Sequence, residues 1–289
     1  MKKNLITLAV VALSLSAGAA LAAQPVDWQL SFQPAATPIM EEIRWFERYT
    51  LWFIAPITLL VLALLAWVIV RYRASVNPVP SRTSHNTVIE VIWTVGPVVV
   101  LLFLAIPSFQ LLTAQHTPDE DPALTIKATG NQWNWDYEYQ LDEPVSFNSA
   151  MLQEGDRAQF GKEDMAAYPR LLAVDNEVVV PVDTTVRMLV TASDVLHAFA
   201  MPAFGIKVDA VPGRVNETWF KATKEGLYYG QCSELCGKDH AFMPIAIRVV
   251  AADQYEGWLQ TAATDLDGAY RTLMAEIEEQ KTEVAAAGQ

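Results

Sequence analysis

The chain has 289 residues, with 33 acidic and 20 basic side chains and a formal net charge of −13. That balance argues against nucleic acid, which needs basic stripes to meet phosphate, and suits a cationic partner steered by an acidic face. Two cysteines exclude a multi-disulfide scaffold, and 52% apolar residues with a positive mean hydropathy are more than a purely soluble protein needs. The charge is divided along the chain. From Asp119 onward 28 acids face 13 bases, whereas the earlier residues carry 5 acids and 7 bases. An apolar membrane part therefore precedes an acidic part that faces water.

Met1 to Ala23 reads as a signal peptide: Lys2 and Lys3, an apolar stretch from Leu5 to Leu15, then Ala20 and Ala22 in an A-x-A arrangement. Residues 24–48 follow as a short extracytoplasmic segment. Tyr49 to Val70 and Val88 to Leu112 are apolar runs of 22 and 25 residues, about 33 and 37 Å as helices, long enough to form a transmembrane hairpin over 49–112. Pro97 and Pro107 lie inside the second run. Arg71, Arg73 and Arg82 lie between the runs with no acid before Glu90, which places that loop in the cytoplasm and everything after Leu112 on the other side. Glu90 sits one turn into the second span. It is either a carboxylate that snorkels to water or the mouth of a proton path.

After a linker at Thr117 to Pro122, short alternating runs appear. They are Ala123–Thr129, Trp133–Tyr139, Leu171–Val174, Glu177–Val180, Val186–Thr191, Glu217–Lys221, Gly226–Gly230 and Pro244–Val250, broken by Gly, Pro, Asp and Asn. Many short strands at this spacing predict an all-β sandwich or barrel over 119–252. Gln153 to Tyr168 reads as a polar insertion. Tyr255, Trp258, Leu259, Leu266, Tyr270, Leu273, Met274 and Ile277 recur at helical spacing and predict one C-terminal helix and tail over 253–289.

The chemistry is concentrated in Gly230 to Met243, which carries Cys232, Cys236, His240 and Met243. His197 stands upstream in Asp194-Val-Leu-His. Two thiolates, two imidazoles and a thioether form a soft, mixed ligand set that suits copper. Two thiolates can bridge two copper ions, with one imidazole completing each ion and Met243 as a weak further ligand. Such a compact core changes little on redox and favours fast electron transfer. Zinc on the two Cys and two His, or a Cys232–Cys236 disulfide on the oxidising side of the membrane, are the alternatives. No nucleophile–base–orienter set points to hydrolysis.

These residues bring the resemblance into view. Gly130-Asn-Gln-Trp-Asn-Trp-Asp-Tyr-Glu-Tyr139, Asp194-Val-Leu-His197, Pro212-Gly-Arg214 and Tyr229 to Pro244 resemble subunit II of bacterial CuA-containing haem–copper cytochrome c oxidases, over roughly residues 40 to 260. The resemblance implies a two-helix hairpin followed by a cupredoxin-like sandwich holding a dinuclear CuA centre. His197, Cys232, Cys236, His240 and Met243 fall on ligand positions. Glu234 falls on a double role: its backbone carbonyl binds a copper, and its side chain reaches a Mg or Mn ion shared with subunit I. Trp133 matches the aromatic through which electrons arrive from cytochrome c, and Glu90, with His85 beside it, the carboxylate near a proton-uptake path. Glu138, Asp142, Glu143, Asp175 and Asp194 are candidates for an acidic docking ring. Asn134 departs from the pattern, since many relatives carry an aromatic there.

The resemblance further implies an electron-input subunit of a proton-translocating terminal oxidase in the bacterial inner membrane, its C-terminal domain in the periplasm. Its partners are a haem-bearing subunit I with other oxidase subunits, cytochrome c and the lipid bilayer. The haems lie in the partner subunit alone. A quinol-oxidase subunit would lack the copper ligands, which are all present. A copper carrier would need exposed, releasing ligands, and a non-redox subunit would hold Cys232–Cys236 as a disulfide.

Overall fold

The computed structural model describes residues 24–287, so the expected signal peptide, Met1 to Ala23, lies outside the described residues. The chain divides into two compact units, Ile39–Thr117 and the remainder.

The first unit is a pair of helices, α1 (Pro38–Arg71) and α2 (Thr87–His116), both long and apolar enough to cross a membrane. At about 1.5 Å per residue α1 is about 51 Å long, well beyond a hydrocarbon core of about 30 Å. It begins eleven residues before the apolar run because Pro38 suits a first helical position and the helix formers Glu41, Glu42, Arg44, Glu47 and Arg48 carry it onward. Hydropathy marked only the lipid-embedded part. Asn86 caps α2: its Oδ1 accepts from the N–H groups of Val88 (3.1 Å) and Ile89 (3.3 Å). The helices are tied by Tyr49 Oη, which donates to the Phe103 carbonyl at 3.1 Å, and by Phe53 stacked on Phe103 at 6.4 Å.

The second unit is a sandwich of two five-stranded sheets. One is ordered β3-β2-β1-β5-β8 and the other β4-β10-β9-β6-β7. The strands are β1 (Leu124–Asn131), β2 (Asn134–Tyr139), β3 (Val145–Ser149), β4 (Val178–Pro181), β5 (Thr185–Ala192), β6 (His197–Met201), β7 (Ile206–Ala210), β8 (Asn216–Lys221), β9 (Gly226–Cys232) and β10 (Pro244–Val250). β1 pairs with β5 and β4 with β10 in parallel; the other pairings are antiparallel. Alternation along β1, β2 and β3 turns every second side chain inward, so Ile126, Ala128, Trp135, Tyr137, Tyr139, Val145 and Phe147 are buried. Each such large apolar side chain contributes roughly 1.5–3 kcal/mol on burial. β4 and β10 are buried along their whole lengths, because further chain covers their outer face.

Two segments supply that cover. The expected single C-terminal helix is two: α3 (Ala252–Ala262) and α4 (Leu266–Ala287). The break falls where Asp265 Oδ1 accepts from the Gly268 N–H at 2.9 Å and caps a new helix. Trp258 of α3 sits between Tyr139 (5.4 Å) and Tyr270 (5.9 Å), and α4 buries Ala269 and Leu273. The second segment is the insertion. It is not simply polar: its Phe160, Ala167 and Tyr168 pack, together with the following Leu172, Ala173 and Val174, on Leu152, Leu227, Tyr229 and Ala246 in a cluster of their own. Leu171–Val174 is not a strand. Leu171 has φ of 70°, and Val174 forms only an isolated bridge with Met151.

Beneath the insertion Glu177 is buried between Lys162 Nζ, at 3.0 Å, and the Arg248 guanidinium. Lys162 also donates to the carbonyls of Val174 (2.9 Å) and Asp175 (2.8 Å), and Tyr270 Oη donates to the Glu177 carbonyl. Insertion, sheet and α4 thus share one satisfied charge cluster. A strap ahead of α1 adds a further tie. The Ala36 N–H donates to Ala203, the Thr223 N–H donates to Ala36, and Thr37 Oγ1 donates to Phe204, at 2.9, 2.9 and 2.8 Å.

Candidate metal centre

Three loops meet at one end of the sandwich. His197 opens β6, Cys232 closes β9, and the β9–β10 connection carries Cys236 and His240 before Met243 leads into β10. The strand pairing fixes the register: Phe199 lies opposite Cys232, and the Cys232 N–H donates to the Met243 carbonyl at 2.9 Å. His197, Cys232, Cys236 and Met243 are buried and His240 is half-buried.

Cys232 Sγ and Cys236 Sγ stand 3.8 Å apart, and both are free thiols. His197 Nδ1 lies 3.8 Å from Cys232 Sγ, and His240 Nδ1 lies 3.5 Å from Cys236 Sγ. The donor atoms of His197, Cys232 and Cys236 all fall within 4.8 Å of one another. The Glu234 carbonyl is 3.4 Å from Cys232 Sγ, while its side chain is exposed. A central pair of sulfurs with one imidazole beyond each is a donor set that fits soft metal ions.

Burial and the neighbouring Cys232 push the Cys236 thiol up to about 12. A cation between the two sulfurs would offset that cost and favour their thiolate forms.

The carboxylate of Asp194 orients the site. Its Oδ1 is 2.9 Å from His197 Nε2 and accepts from the Val195 N–H at 2.6 Å, and its Oδ2 accepts from the Gln132 N–H at 2.8 Å. Burial alone would raise this carboxyl, but the bonds from His197, Val195 and Gln132 outweigh it and hold it below its ordinary value. With Nε2–H donating to Asp194, the Nδ1 lone pair of His197 faces Cys232, the arrangement common to metal-binding histidines. β1 presses on the same ring: a Cβ on Gly130 would lie 3.0 Å from the imidazole.

Trp133 is half-buried in the β1–β2 turn. Its indole lies against the connection between β9 and β10, since a Cβ on Gly237 would come within 3.0 Å of Trp133 Cζ2, and Gly237 has φ of 127°. Gln132 Nε2 donates to the Cys236 carbonyl at 2.8 Å. The turn that carries Trp133 is thereby fastened to the backbone of a sulfur ligand candidate.

The candidate docking acids are spread over several elements. Glu138 is five residues along β2, about 17 Å at strand rise, and pairs with Lys127 at 3.6 Å. Asp142 and Glu143 lie beyond the far end of that strand. Asp175 accepts from the N–H groups of Ala150 (2.8 Å) and Asn176 (2.7 Å), and burial raises its carboxyl, so it serves the loop. Of the five, Asp194 alone is bonded to the Trp133 turn. Asn134 Oδ1, at the departing position, accepts from Asn131 and Asn148 at 3.1 and 2.9 Å and joins a polar network. In the helical unit, Glu90 Oε1 accepts from the Asn86 N–H at 3.3 Å, within the first turn of α2, and His85 lies exposed just before it. Sequence reasoning missed the orienting roles of Gln132, Asp194 and Gly237. Each stands beside a singled-out residue, but the contacts join segments far apart in the chain.

Residues 124–250 match the family model "Cytochrome C oxidase subunit II, periplasmic domain", and residues 25–111 match the model of its transmembrane domain. The probable cytochrome c oxidase subunit 2 of Rickettsia bellii is 48% identical over 258 residues, covering 89% of this chain and 92% of that protein. The cytochrome c oxidase subunit 2 of Oenothera berteroana is 45% identical over 247 residues, covering 82% and 91%. Among solved structures, the periplasmic domain of subunit II of cytochrome oxidase from Bradyrhizobium japonicum is 56% identical. It covers 50% of this chain and 95% of that one, with a TM-score of 0.44.

Proposed function

The chain belongs to the cytochrome c oxidase subunit II family, a component of haem–copper terminal oxidases, and from that premise we propose that it is the electron-input subunit. In this reading it receives electrons from cytochrome c and delivers them to haem in subunit I, where oxygen is reduced to water with proton pumping. The observation that carries it is the pair of free thiols 3.8 Å apart, flanked by two imidazole nitrogens at 3.8 and 3.5 Å.

Cys232 and Cys236 would hold two copper ions between them, with His197, His240, Met243 and the Glu234 carbonyl completing the set. Bound there, the copper pair supplies a one-electron carrier. Asp194 fixes the face that His197 presents, and Gly130 and Trp135 confine the ring, so the ligands shift little when charge changes. Burial of both sulfurs excludes water and oxidants. Trp133 packed on Gly237 provides a short path from the surface to Cys236. The exposed Glu234 side chain is free to reach a Mg or Mn ion held jointly with subunit I. Glu90, at the cytoplasmic end of α2, would hand protons to a path in subunit I. The domain after α2 would face the periplasm of a bacterial inner membrane, and its excess of acids would steer a basic cytochrome toward Trp133.

The test is reduction of the assembled oxidase by a basic c-type cytochrome, with the copper absorption as readout. Trp133→Ala is expected to slow copper reduction by at least tenfold while copper content stays at the wild-type level. Equal rates in the variant and wild type would remove Trp133 from the route.

A further inference from the structure

The connection between β9 and β10 sets over Trp133 a positive charge that the electron-input reading leaves unused. Lys238 Nζ lies over the Trp133 ring, 5.5 Å from its centroid. Its position is set by the backbone: Gly237 presses on the indole, and the Cys236 carbonyl is held by Gln132, so the next residue emerges at the rim of the ring. The side chain is 78% exposed, and the acid it pairs with, Asp239, is 3.5 Å away and itself 38% exposed. An ion pair this wet neutralises little. Lys238 is also the single Lys or Arg between Gly230 and Met243.

We propose that Lys238 is a specificity-determining residue for the electron donor. It repels basic side chains from the point directly above Trp133, and so admits donors whose contact point is uncharged and whose basic groups sit at the periphery. This rests on the reading of Trp133 as the electron-input residue. The two charges act at different ranges. The acid excess of the domain attracts a basic donor from afar, and the local ammonium penalises every docked orientation that places a lysine or arginine over the indole. A cation held over an exposed aromatic face is only weakly attracted to it, so the side chain swings aside when an uncharged surface arrives. Discrimination then comes from an unfavourable contact in the wrong pose, added to the favourable ones in the right pose. Two like charges about 8–10 Å apart at a wet interface give an effect of about two- to three-fold, screened by salt.

The experiment uses the assembled oxidase with wild-type subunit, Lys238→Met and Lys238→Glu, driven by a reduced basic c-type cytochrome over a range of ionic strength. Lys238→Met is expected to lower KM about two- to three-fold at low salt and Lys238→Glu to lower it further. In both, kcat and copper content stay at wild-type values and the differences close at high salt. Turnover with an uncharged small reductant is expected to be the same in all three. Introducing a lysine at the donor's uncharged contact point should raise KM more for wild type than for Lys238→Met. Unchanged KM and salt dependence in both variants would overturn the proposal and leave Lys238 a solvated side chain. A rise in KM would overturn it in the other direction, making Lys238 an attractive contact for an acidic group of the donor. Trp133→Ala is measured alongside. If it reduces copper at the wild-type rate, the electron-input reading fails by itself, whatever the Lys238 variants show.

Discussion

Asp194→Ala removes a carboxylate that links the candidate metal ligand His197 to the Trp133 turn. It deletes three acceptor contacts at once: to His197 Nε2 at 2.9 Å, to the Val195 N–H at 2.6 Å and to the Gln132 N–H at 2.8 Å. The imidazole is fully buried and keeps its place against Gly130 and Trp135, so the fold survives. What is lost is the acceptor that keeps the proton on Nε2 and leaves Nδ1 to face Cys232. Removing such a partner lowers metal affinity by roughly 10- to 100-fold, which is about 1.4–2.7 kcal/mol. Asp194→Asn keeps a neutral acceptor and should lose less than Asp194→Ala. The assay is competition for copper against a chelator of known affinity, using the full chain in detergent and following the copper absorption. The reduction potential should rise, because a histidine without its carboxylate donates less electron density. Copper bound by Asp194→Ala with wild-type affinity and an unshifted potential would refute the claim that this carboxylate orients His197.

Three further perturbations probe other parts of the chain. Glu177→Gln strips the anion from between Lys162 and Arg248 and should destabilise the domain by about 3–5 kcal/mol in thermal or denaturant unfolding. Burial works to raise the Glu177 carboxyl, but Arg248 and Lys162 outweigh it and hold the group at about 2 against an ordinary 4.5. Because the folded value is the depressed one, this stabilisation, about 3 kcal/mol, is present above pH 4.5 and is lost as pH falls toward 2. The acid limb of a stability–pH curve should flatten in the Gln variant. Ala36→Pro deletes the N–H that donates to Ala203 at the exit of β6. Loss of about 1–3 kcal/mol is expected, read as a lowered Tm of the full chain, and an unaltered Tm would show the strap to be dispensable. Glu90→Ala should slow steady-state oxygen consumption while copper reduction by cytochrome c keeps its wild-type rate; full oxygen consumption would count against a role at the proton path.

The sequence announced the sandwich through period-two alternation, which is strong where one face of a strand is buried, as in β1, β2 and β5. It hid β3, β6 and β7. β3 (Val-Ser-Phe-Asn-Ser) carries two polar residues that face outward in a run of only five, and β6 is apolar on both faces, so neither shows clean alternation over a useful length. The break between α3 and α4 depends on a local cap at Asp265, a weaker signal than the apolar stripe that runs through both helices. At the site, the ligand types were legible because Cys232, Cys236, His240 and Met243 share one loop and their spacing is distinctive. The supporting residues were not. Asp194 reads as one surface acid among many until the fold brings Gln132 and His197 to it. Likewise Arg157 and Lys162 read as solvated charges in a polar insertion, although the chain folds back over both and satisfies them with Glu154 and Glu177 and with backbone carbonyls.

The central claim is that Cys232 and Cys236, with His197 and His240, hold a copper pair that shares one electron. Its most direct test is metal analysis with an EPR spectrum of the full chain, reconstituted with copper in detergent. Two copper ions per chain, with hyperfine structure from one unpaired electron spread over two equivalent nuclei, is the result expected. A single copper with hyperfine structure from one nucleus, or a metal-free chain with Cys232 and Cys236 oxidised to a disulfide, would contradict it.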